Sequence, residues 1–431
     1  MNVTVIGCGY LGATHAACMA ELGYDVLGVE IDPGKRESLA AGKVPFYEPA
    51  LEELLAKHVA SGRLRFTDSY EEAGAFGSLH FVCVGTPQRH DGLGADVQYV
   101  DAAVDSLAPY LTDGSLVVGK STVPVGTAAR LATKLGEGAE LAWNPEFLRE
   151  GFAVQDTLQP DRLVFGVASE RAEQVLREFY GTVIETGTPV VVTDFATAEL
   201  VKVSANAFLA TKISFINAVA EVCEAAGGDI VDLADAIGHD DRIGRKFLNA
   251  GVGFGGGCLP KDIRAFLSRA GELGVEDAMS FLRQVDDINL RQRTRVVQIA
   301  TSMLGGNIAR ARIAVWGAAF KPDSDDVRDS PALSIAGQLH LHGALVSVYD
   351  PKANETARAK FPTLDYAESA LAAARDADLL LHLTEWPEFR EIDPVALGDV
   401  VRSKLVLDGR NKLDLDAWRA AGWTARGLGR R

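Results

Sequence analysis

"NVTVIGCGYLGATHAACMAELGYDVLGVEID", residues 2–32, is the stretch whose reading decides the fold. An apolar run, a glycine turn, a helix of small residues, a further glycine and a second apolar run make a βαβ unit. The turn carries G-x-G-x-x-G as Gly7, Gly9 and Gly12. Such a turn lets a pyrophosphate meet the amides of a helix N-terminus, where the dipole favours negative charge. Glu30 ends the second run, where a carboxylate accepts hydrogen bonds from an adenosine ribose and repels a 2'-phosphate. The pattern predicts NAD rather than NADP, held around Gly7, Gly9, Tyr10, Leu11 and Gly12, with Lys35 and Arg36 adding positive charge nearby.

Outward from this unit, "LHFVCVGTP" (79–87), "SLVVGKSTVP" (115–124) and "RLVFGVA" (162–168) read as further strands, so a doubly wound parallel sheet is expected to about residue 190. Ligands bind at the carboxyl ends of such strands. Thr86, Ser121 and Thr122 stand there, although Thr and Pro are equally ordinary turn residues. In "WNPEFLREG" (143–151) Glu146 and Glu150 lie four apart and share a face if the segment is helical, as a solvated acidic face would also arrange. Residues 193–229 run without Pro or Gly until Gly227. They predict one helix of roughly 30 residues and about 45 Å, apolar nearly all round, whose exposed face meets a second subunit. Lys202 and Asn206 are i, i+4 neighbours in it, a donor pair for a polar ligand or a lysine that snorkels to water.

The last 120 or so residues repeat the opening grammar through "ARIAVWGAAF" (311–320), "LVSVYDP" (345–351), "DADLLLHLTEW" (376–386) and "KLVLDGRN" (404–411). Lys321, Arg328 and Arg410 fall in loops at strand ends, suited to a phosphate or base, or to solvent. The expected fold is α/β: two Rossmann-like doubly wound domains, 1–195 and 296–431, joined by a central helical dimerisation region, 196–295, with one long helix.

Composition bounds the partners. The 431 residues are 47% apolar, enough for two or three cores, and the net charge of −16 gives no global field for nucleic acid or anionic lipid. No nucleic-acid and no membrane partner is expected, since no apolar run reads as long enough to cross a bilayer and the chain opens on a strand rather than a signal peptide. The five cysteines (Cys8, Cys18, Cys83, Cys223, Cys258) show no C-x-x-C spacing, so no metal site is predicted and a reducing cytoplasm fits. Cys258 differs from the rest. It follows the glycines of "GVGFGGGCLPKD" (251–262), which allow close approach of backbone and ligand, so it is expected to face a bound molecule.

"GCGYLG", "KSTVPVGT", "NPEFLREG", "ELVKVSANAFLATKISFINAVAE", "DDRIGRKFLNAGVGFGGGCLPKD", "AAFKPDSDDVRDSP" and "LDGRN" occur in an order and spacing that resemble the UDP-glucose/GDP-mannose dehydrogenase family over essentially the whole chain. The resemblance implies an NAD-binding domain, a central dimerisation region and a nucleotide-sugar domain. It implies NAD-dependent four-electron oxidation of UDP-glucose to UDP-glucuronate by a cytoplasmic homodimer, through a cysteine thiohemiacetal and thioester. Carried over by motif, Cys258 is the nucleophile, Lys202 and Asn206 the polar pair at the reacting carbon, Asp262 a carboxylate for proton traffic, and Thr122 and Glu146 the groups that position water. The same resemblance assigns the sugar nucleotide to Glu146, Phe147, Leu148, Arg149, Glu150, Lys202, Asn206, Phe247, Leu248, Asn249, Ala250, Gly251, Gly255, Lys321 and Arg410, with Arg242 reaching the neighbouring subunit's site. NAD falls to Glu30, Lys35, Thr86, Thr122, Glu150, Lys261 and Arg328, besides the glycine turn. One departure stands out: Gly257 replaces the usual serine before the nucleophile. "CLPKD" also occurs in GDP-mannose members, leaving GDP-mannose or UDP-N-acetylmannosamine as alternative substrates, whereas "FLNAGVGFGG" and "RIG" are closer to UDP-glucose members. A single-oxidation β-hydroxyacid-type dehydrogenase shares the Lys-x-x-x-Asn helix, but Cys258 and the third domain argue against it.

Overall fold

The computed structural model describes residues 1–430. They form two compact units, Met1–Ala205 with Arg264–Val275, and Asn206–Ile263 with the chain from Glu276 onward. The expected central region 196–295 is thus divided between the two units.

The first unit is built on eight strands: β1 (Asn2–Ile6), β2 (Asp25–Val29), β3 (Leu64–Thr67), β4 (Leu79–Val82), β5 (Leu116–Gly119), β6 (Glu140–Trp143), β7 (Leu163–Val167) and β8 (Val190–Thr193), in the order β3-β2-β1-β4-β5-β6-β7-β8. Every residue of β4 and β5 is buried because helices cover both faces. Alternate side chains feed two cores, Val3, Val5, Phe81 and Val118 one of them, Ile6, Val82, Val117 and Trp143 the other. The winding reverses between β1 and β4, so the glycine turn after β1 and Thr86 after β4 stand where such sheets bind ligands. One expectation is corrected: β7 runs antiparallel to β6, with Ala142 opposite Val167 and Trp143 opposite Gly166. Residues 144–162 carry only the short helix Ala153–Leu158, and the chain turns back with no crossover helix laid across the sheet.

The second unit holds a parallel six-stranded sheet of β9 (Arg312–Trp316), β10 (Leu345–Tyr349), β11 (Asp365–Tyr366), β12 (Leu379–His382), β13 (Leu405–Asp408) and β14 (Thr424–Gly427). Its order, β11-β10-β9-β12-β13-β14, repeats the winding of the first six strands of the other sheet. Its reversal lies between β9 and β12, at the loops that carry Lys321 and Glu385.

The helix Phe195–Ala226 has 32 residues and runs from one unit into the other. It is long and apolar enough to span a bilayer, with an 18-residue window of mean hydropathy 1.3, which corrects the expectation that no run is. Several of the polar residues that break up the sequence are turned inward and bonded. Glu199 accepts from the amides of Gly126 (2.7 Å) and Ala128 (2.6 Å), Ser214 donates to the Val285 carbonyl (2.7 Å), and Asn217 accepts from the Gly251 amide (2.8 Å). Only 44% of that window is buried within the chain. Phe208 (65% exposed), Phe215 (53%) and Val222 (64%) recur every seventh residue along the open side.

A Cβ on Gly12 would stand 1.9 Å from the Gly7 carbonyl oxygen. Gly12→Ala is therefore expected to lower stability by about 2 kcal/mol or more, read as a melting-temperature fall of about 4 °C or more; an unchanged transition would contradict this packing.

Candidate active site

In the first unit Gly7 adopts φ +84°, open to glycine without strain, and turns the chain so that the helix Tyr10–Glu21 begins at Gly9 with no side chain capping its amides. Nothing lies within 4 Å of a Cβ at Gly9. The first amides of the helix are thus left open, an arrangement that suits an anion. Glu30 is buried, and its carboxylate accepts from the amides of Cys8 (3.2 Å) and Asp32 (3.0 Å), which fixes it beside the turn. Lys35 is exposed, one turn into the next helix, where its amide is capped by Asp32 (2.9 Å).

Glu48 was not legible as a site residue. It is buried in the loop before the helix Leu51–Ala60 and accepts from the Tyr10 hydroxyl and from the amides of Gly151 (2.6 Å) and Ala153 (2.7 Å). One carboxylate thus ties the dinucleotide helix to the end of the "NPEFLREG" segment. Burial and the Glu48 carboxylate push the Tyr10 phenol far above its ordinary range. At the sheet's reversal Thr86 donates to the Thr122 carbonyl (2.7 Å) and Ser121 to the Val84 carbonyl (2.7 Å), stitching the ends of β4 and β5 together.

Residues 146–150 are a loop rather than a helix, so Glu146 and Glu150 do not share a helical face. Glu146 accepts from Lys202 Nζ (3.0 Å) and from the Leu148 amide (2.7 Å), and the pair is largely buried. Phe147 has two cations near its ring, Arg162 at 3.8 Å and Lys202 at 5.6 Å from the ring centre. Arg149 donates from Nε and Nη2 to the two oxygens of Asp156 in a bidentate pair (2.8 and 2.7 Å).

The second unit contains Cys258. It is exposed and immediately precedes the helix Leu259–Glu272, whose first turn closes when the Asp262 amide donates to the Cys258 carbonyl (2.9 Å). Asp262 is 2% exposed, accepting from Asn206 Nδ2 (2.6 Å) and from Lys261 Nζ (2.5 Å). Lys202 and Asn206, four residues apart on one helix, thus each face a carboxylate of their own unit.

The glycines before Cys258 accommodate the protein's own chain. A Cβ on Gly251 would meet the Gly409 carbonyl (2.8 Å), on Gly253 the Asn289 side chain (2.4 Å), on Gly255 the Asp329 carbonyl (2.3 Å), and on Gly256 the Phe320 ring (2.9 Å). Gly257, the departure from the usual serine, leaves a space filled by the Arg328 guanidinium, whose Cζ would be 2.3 Å from a Cβ there. Arg328 is itself held by Asp326 (2.9 and 2.7 Å).

Arg410 is committed to this scaffold. Its guanidinium donates to the carbonyls of Leu383 (2.7 Å), Phe320 (2.9 Å) and Gly253 (3.3 Å), so it clamps the glycine run to both sides of the second sheet's reversal. Phe247 has φ +66°, a strained conformation for a bulky residue, and opens the "FLNAG" segment. There Leu248 and Ala250 are buried while Asn249 is exposed, bonded to Arg245 (3.0 Å). Lys321 is half-buried against the Phe320 ring (5.6 Å). Arg242 projects outward, 89% exposed, paired with Asp240 (2.6 Å). Among the described residues no cluster could hold a metal ion, and no two cysteines are joined.

Residues 1–184 match the NAD binding domain of the UDP-glucose/GDP-mannose dehydrogenase family, residues 196–291 its central domain, and residues 314–415 its UDP binding domain. The chain is 41% identical to the UDP-glucose 6-dehydrogenase of Rhizobium meliloti (strain 1021) over 440 residues, covering 100% of both chains. It is 40% identical to the UDP-glucose 6-dehydrogenase TuaD of Bacillus subtilis (strain 168), covering 100% of this chain and 93% of that one. A solved UDP-glucose dehydrogenase from Pyrobaculum islandicum superposes with a TM-score of 0.90 at 39% identity, covering 100% of this chain and 98% of the other.

Two glycines should behave differently. Gly253→Ala, at φ +94° and against a buried amide, is expected to lose about 2 kcal/mol or more. Gly257→Ser meets the far end of an arginine side chain rather than backbone and should lose less than about 1 kcal/mol. Denaturant titration of both variants checks this, and the reverse ranking would contradict the packing described.

Proposed function

The chain belongs to the UDP-glucose/GDP-mannose dehydrogenase family, NAD-dependent oxidoreductases, and from that premise we propose that it oxidises UDP-glucose to UDP-glucuronate with release of two NADH. The observation that carries this reading is Cys258. It is an exposed thiol at a helix N-terminus, ahead of the buried Asn206–Asp262 pair that Lys261 joins, and the only one of the five cysteines that is not buried.

NAD, when bound, supplies the hydride acceptor for both oxidations. The residues that would hold it are the Gly7–Gly12 turn, Glu30, Lys35, Thr86, Thr122, Glu150, Lys261 and Arg328, and the uncapped amides at Gly9 suit its pyrophosphate. The first oxidation turns the C6 alcohol into an aldehyde. Cys258 Sγ, as the thiolate, adds to C6 and gives a thiohemiacetal. Lys202 and Asn206 stabilise the oxyanion formed on that carbon. The second oxidation leaves a thioester. Water placed by Thr122 and Glu146 then adds, with Asp262 taking part in the proton transfers, and the thiol leaves as carboxylate forms. Overall one water and two NAD are consumed, and two NADH and three protons are released. Residues 146–150 and 247–251, with Gly255 and Lys321, hold the nucleotide sugar, Arg410 acting also through the backbone it clamps.

We further propose three functional modules, 1–195 for NAD, 196–295 for dimerisation and 296–431 for the UDP-sugar. The enzyme acts as a homodimer in the cytoplasm, where reducing conditions preserve the thiol. The heptad spacing of the exposed Phe208, Phe215 and Val222 is the pattern of a helix seam, and Arg242, which projects outward with Asp240 as its partner in the chain, is the residue assigned to the neighbouring subunit's site. Phe208→Glu with Phe215→Glu should convert a sedimenting dimer into a monomer; a dimer that survives both substitutions would contradict this seam.

Wild-type enzyme should yield two NADH per UDP-glucose. Cys258→Ala should bind UDP-glucose and NAD with near-normal affinity while acid formation falls by roughly three orders of magnitude or more. Stopped-assay quantification of UDP-glucuronate decides: one NADH per sugar, or acid formed near the wild-type rate without the thiol, would overturn the thioester route.

A further inference from the structure

Lys120 follows β5, two residues before Thr122, and its ammonium is buried among uncharged partners. Nζ donates to Asn144 Oδ1 (2.8 Å) and lies 3.4 Å from the Asn144 carbonyl and 3.3 Å from the Tyr180 hydroxyl, with the Phe81 and Tyr180 rings each 5.9 Å away. Among the described residues no carboxylate pairs with it. A buried lysine without an ion-pair partner destabilises a fold, and such groups cluster where charge is used.

The scaffold does not need this charge. Asn144 Oδ1 also accepts from the Tyr180 hydroxyl (2.7 Å), and Asn144 Nδ2 donates to the Val164 carbonyl (2.9 Å), so Asn144 stays satisfied without Lys120. Lys120 and Asn144 instead cross-link the carboxyl ends of β5 and β6, and the chain continues from them directly to Thr122 and Glu146. The charges in reach are few. Cys83, just after β4, is kept a thiol by burial, its pKa pushed up to about 12, and His15 on the helix Tyr10–Glu21 is kept neutral by burial. Tyr180, after the helix Glu170–Phe179, is a phenol pushed well above its ordinary range. What remains is the Glu146–Lys202 pair, whose carboxylate attracts the Lys120 charge and whose ammonium repels it.

We propose that Lys120 is a positioning residue of the oxidation, presenting a positive charge to the Glu146–Lys202 pair, so that Thr122 and Glu146 place the hydrolytic water. This rests on the function proposed above. Burial is the main cause that lowers the Lys120 ammonium to about 8, so the charge is present at neutral pH and lost as pH rises through that value.

The test is Lys120→Met, with Lys120→Gln as the second variant. At pH 7 each should melt at or above the wild-type temperature, because an unneeded buried charge has gone. Each should lose at least about tenfold in kcat with KM for UDP-glucose and NAD moved less than about threefold. The wild-type fall in kcat on raising pH through about 8 should be missing from their profiles. A wild-type kcat, a lowered melting temperature or misfolding in both variants, or an unchanged alkaline limb would overturn the proposal. Failure of the functional reading is distinguishable, since then the wild type itself would not oxidise UDP-glucose, whereas the melting comparison stands without turnover.

Discussion

Asn289, buried in the helix Phe281–Met303, accepts from the Phe254 amide (2.7 Å) and donates to the Phe254 carbonyl (3.0 Å), and the place of Cys258 follows from that anchorage. The two bonds treat the side chain as one residue of a neighbouring strand. They require the main chain to pass against the helix, which is why Gly253 can carry no Cβ. Each buried hydrogen bond contributes about 1 kcal/mol net, and an orphaned partner costs about 1–3 kcal/mol. Arg293 reinforces the same contact by donating to the Phe254 carbonyl (3.3 Å) and to Asp329 (2.7 Å), while Arg410 holds the opposite side through Gly253. The glycine run is a strap fixed at three points, and it delivers an exposed thiol to the start of a helix.

Each chemical group is set by a counterpart that leaves it little freedom. Lys202 is fixed by Glu146, Asn206 by Asp262, Asp262 also by Lys261, and Thr86 by the Thr122 carbonyl. Glu48 links the dinucleotide turn to the loop after Glu146, so the element expected to hold the cofactor and the one expected to hold the sugar share a carboxylate. Positioning of this kind contributes to catalysis by removing the reorganisation that free side chains would require.

Local patterns were legible and non-local neighbours were not. The G-x-G-x-x-G turn, the two repeats of the winding and the long helix depend on spacing within some thirty residues, and sequence reading placed them. The direction of β7 did not follow from its apolar run, because direction is set by the path of the preceding loop. The glycines before Cys258 were readable as glycines needed for close approach, but what approaches lies 35 residues away at Asn289 and far along the chain at Phe320 and Arg328. Gly257 looked like the loss of a hydroxyl and is the seat of a guanidinium. Lys120 and Glu48 carried no signal, since a lone Lys after a strand or a lone Glu in a loop is usually solvated, and only burial marks them out.

The measurement that tests the account most directly is residue-resolved alkylation of the native enzyme by iodoacetamide, followed by peptide mass spectrometry. Cys8, Cys18, Cys83 and Cys223 are buried and Cys258 is exposed at a helix N-terminus. The account predicts that Cys258 alone is modified rapidly, that activity is lost in step with its modification, and that UDP-glucose slows both. Modification of Cys258 with activity retained, or loss of activity through another cysteine while Cys258 stays unmodified, would contradict it.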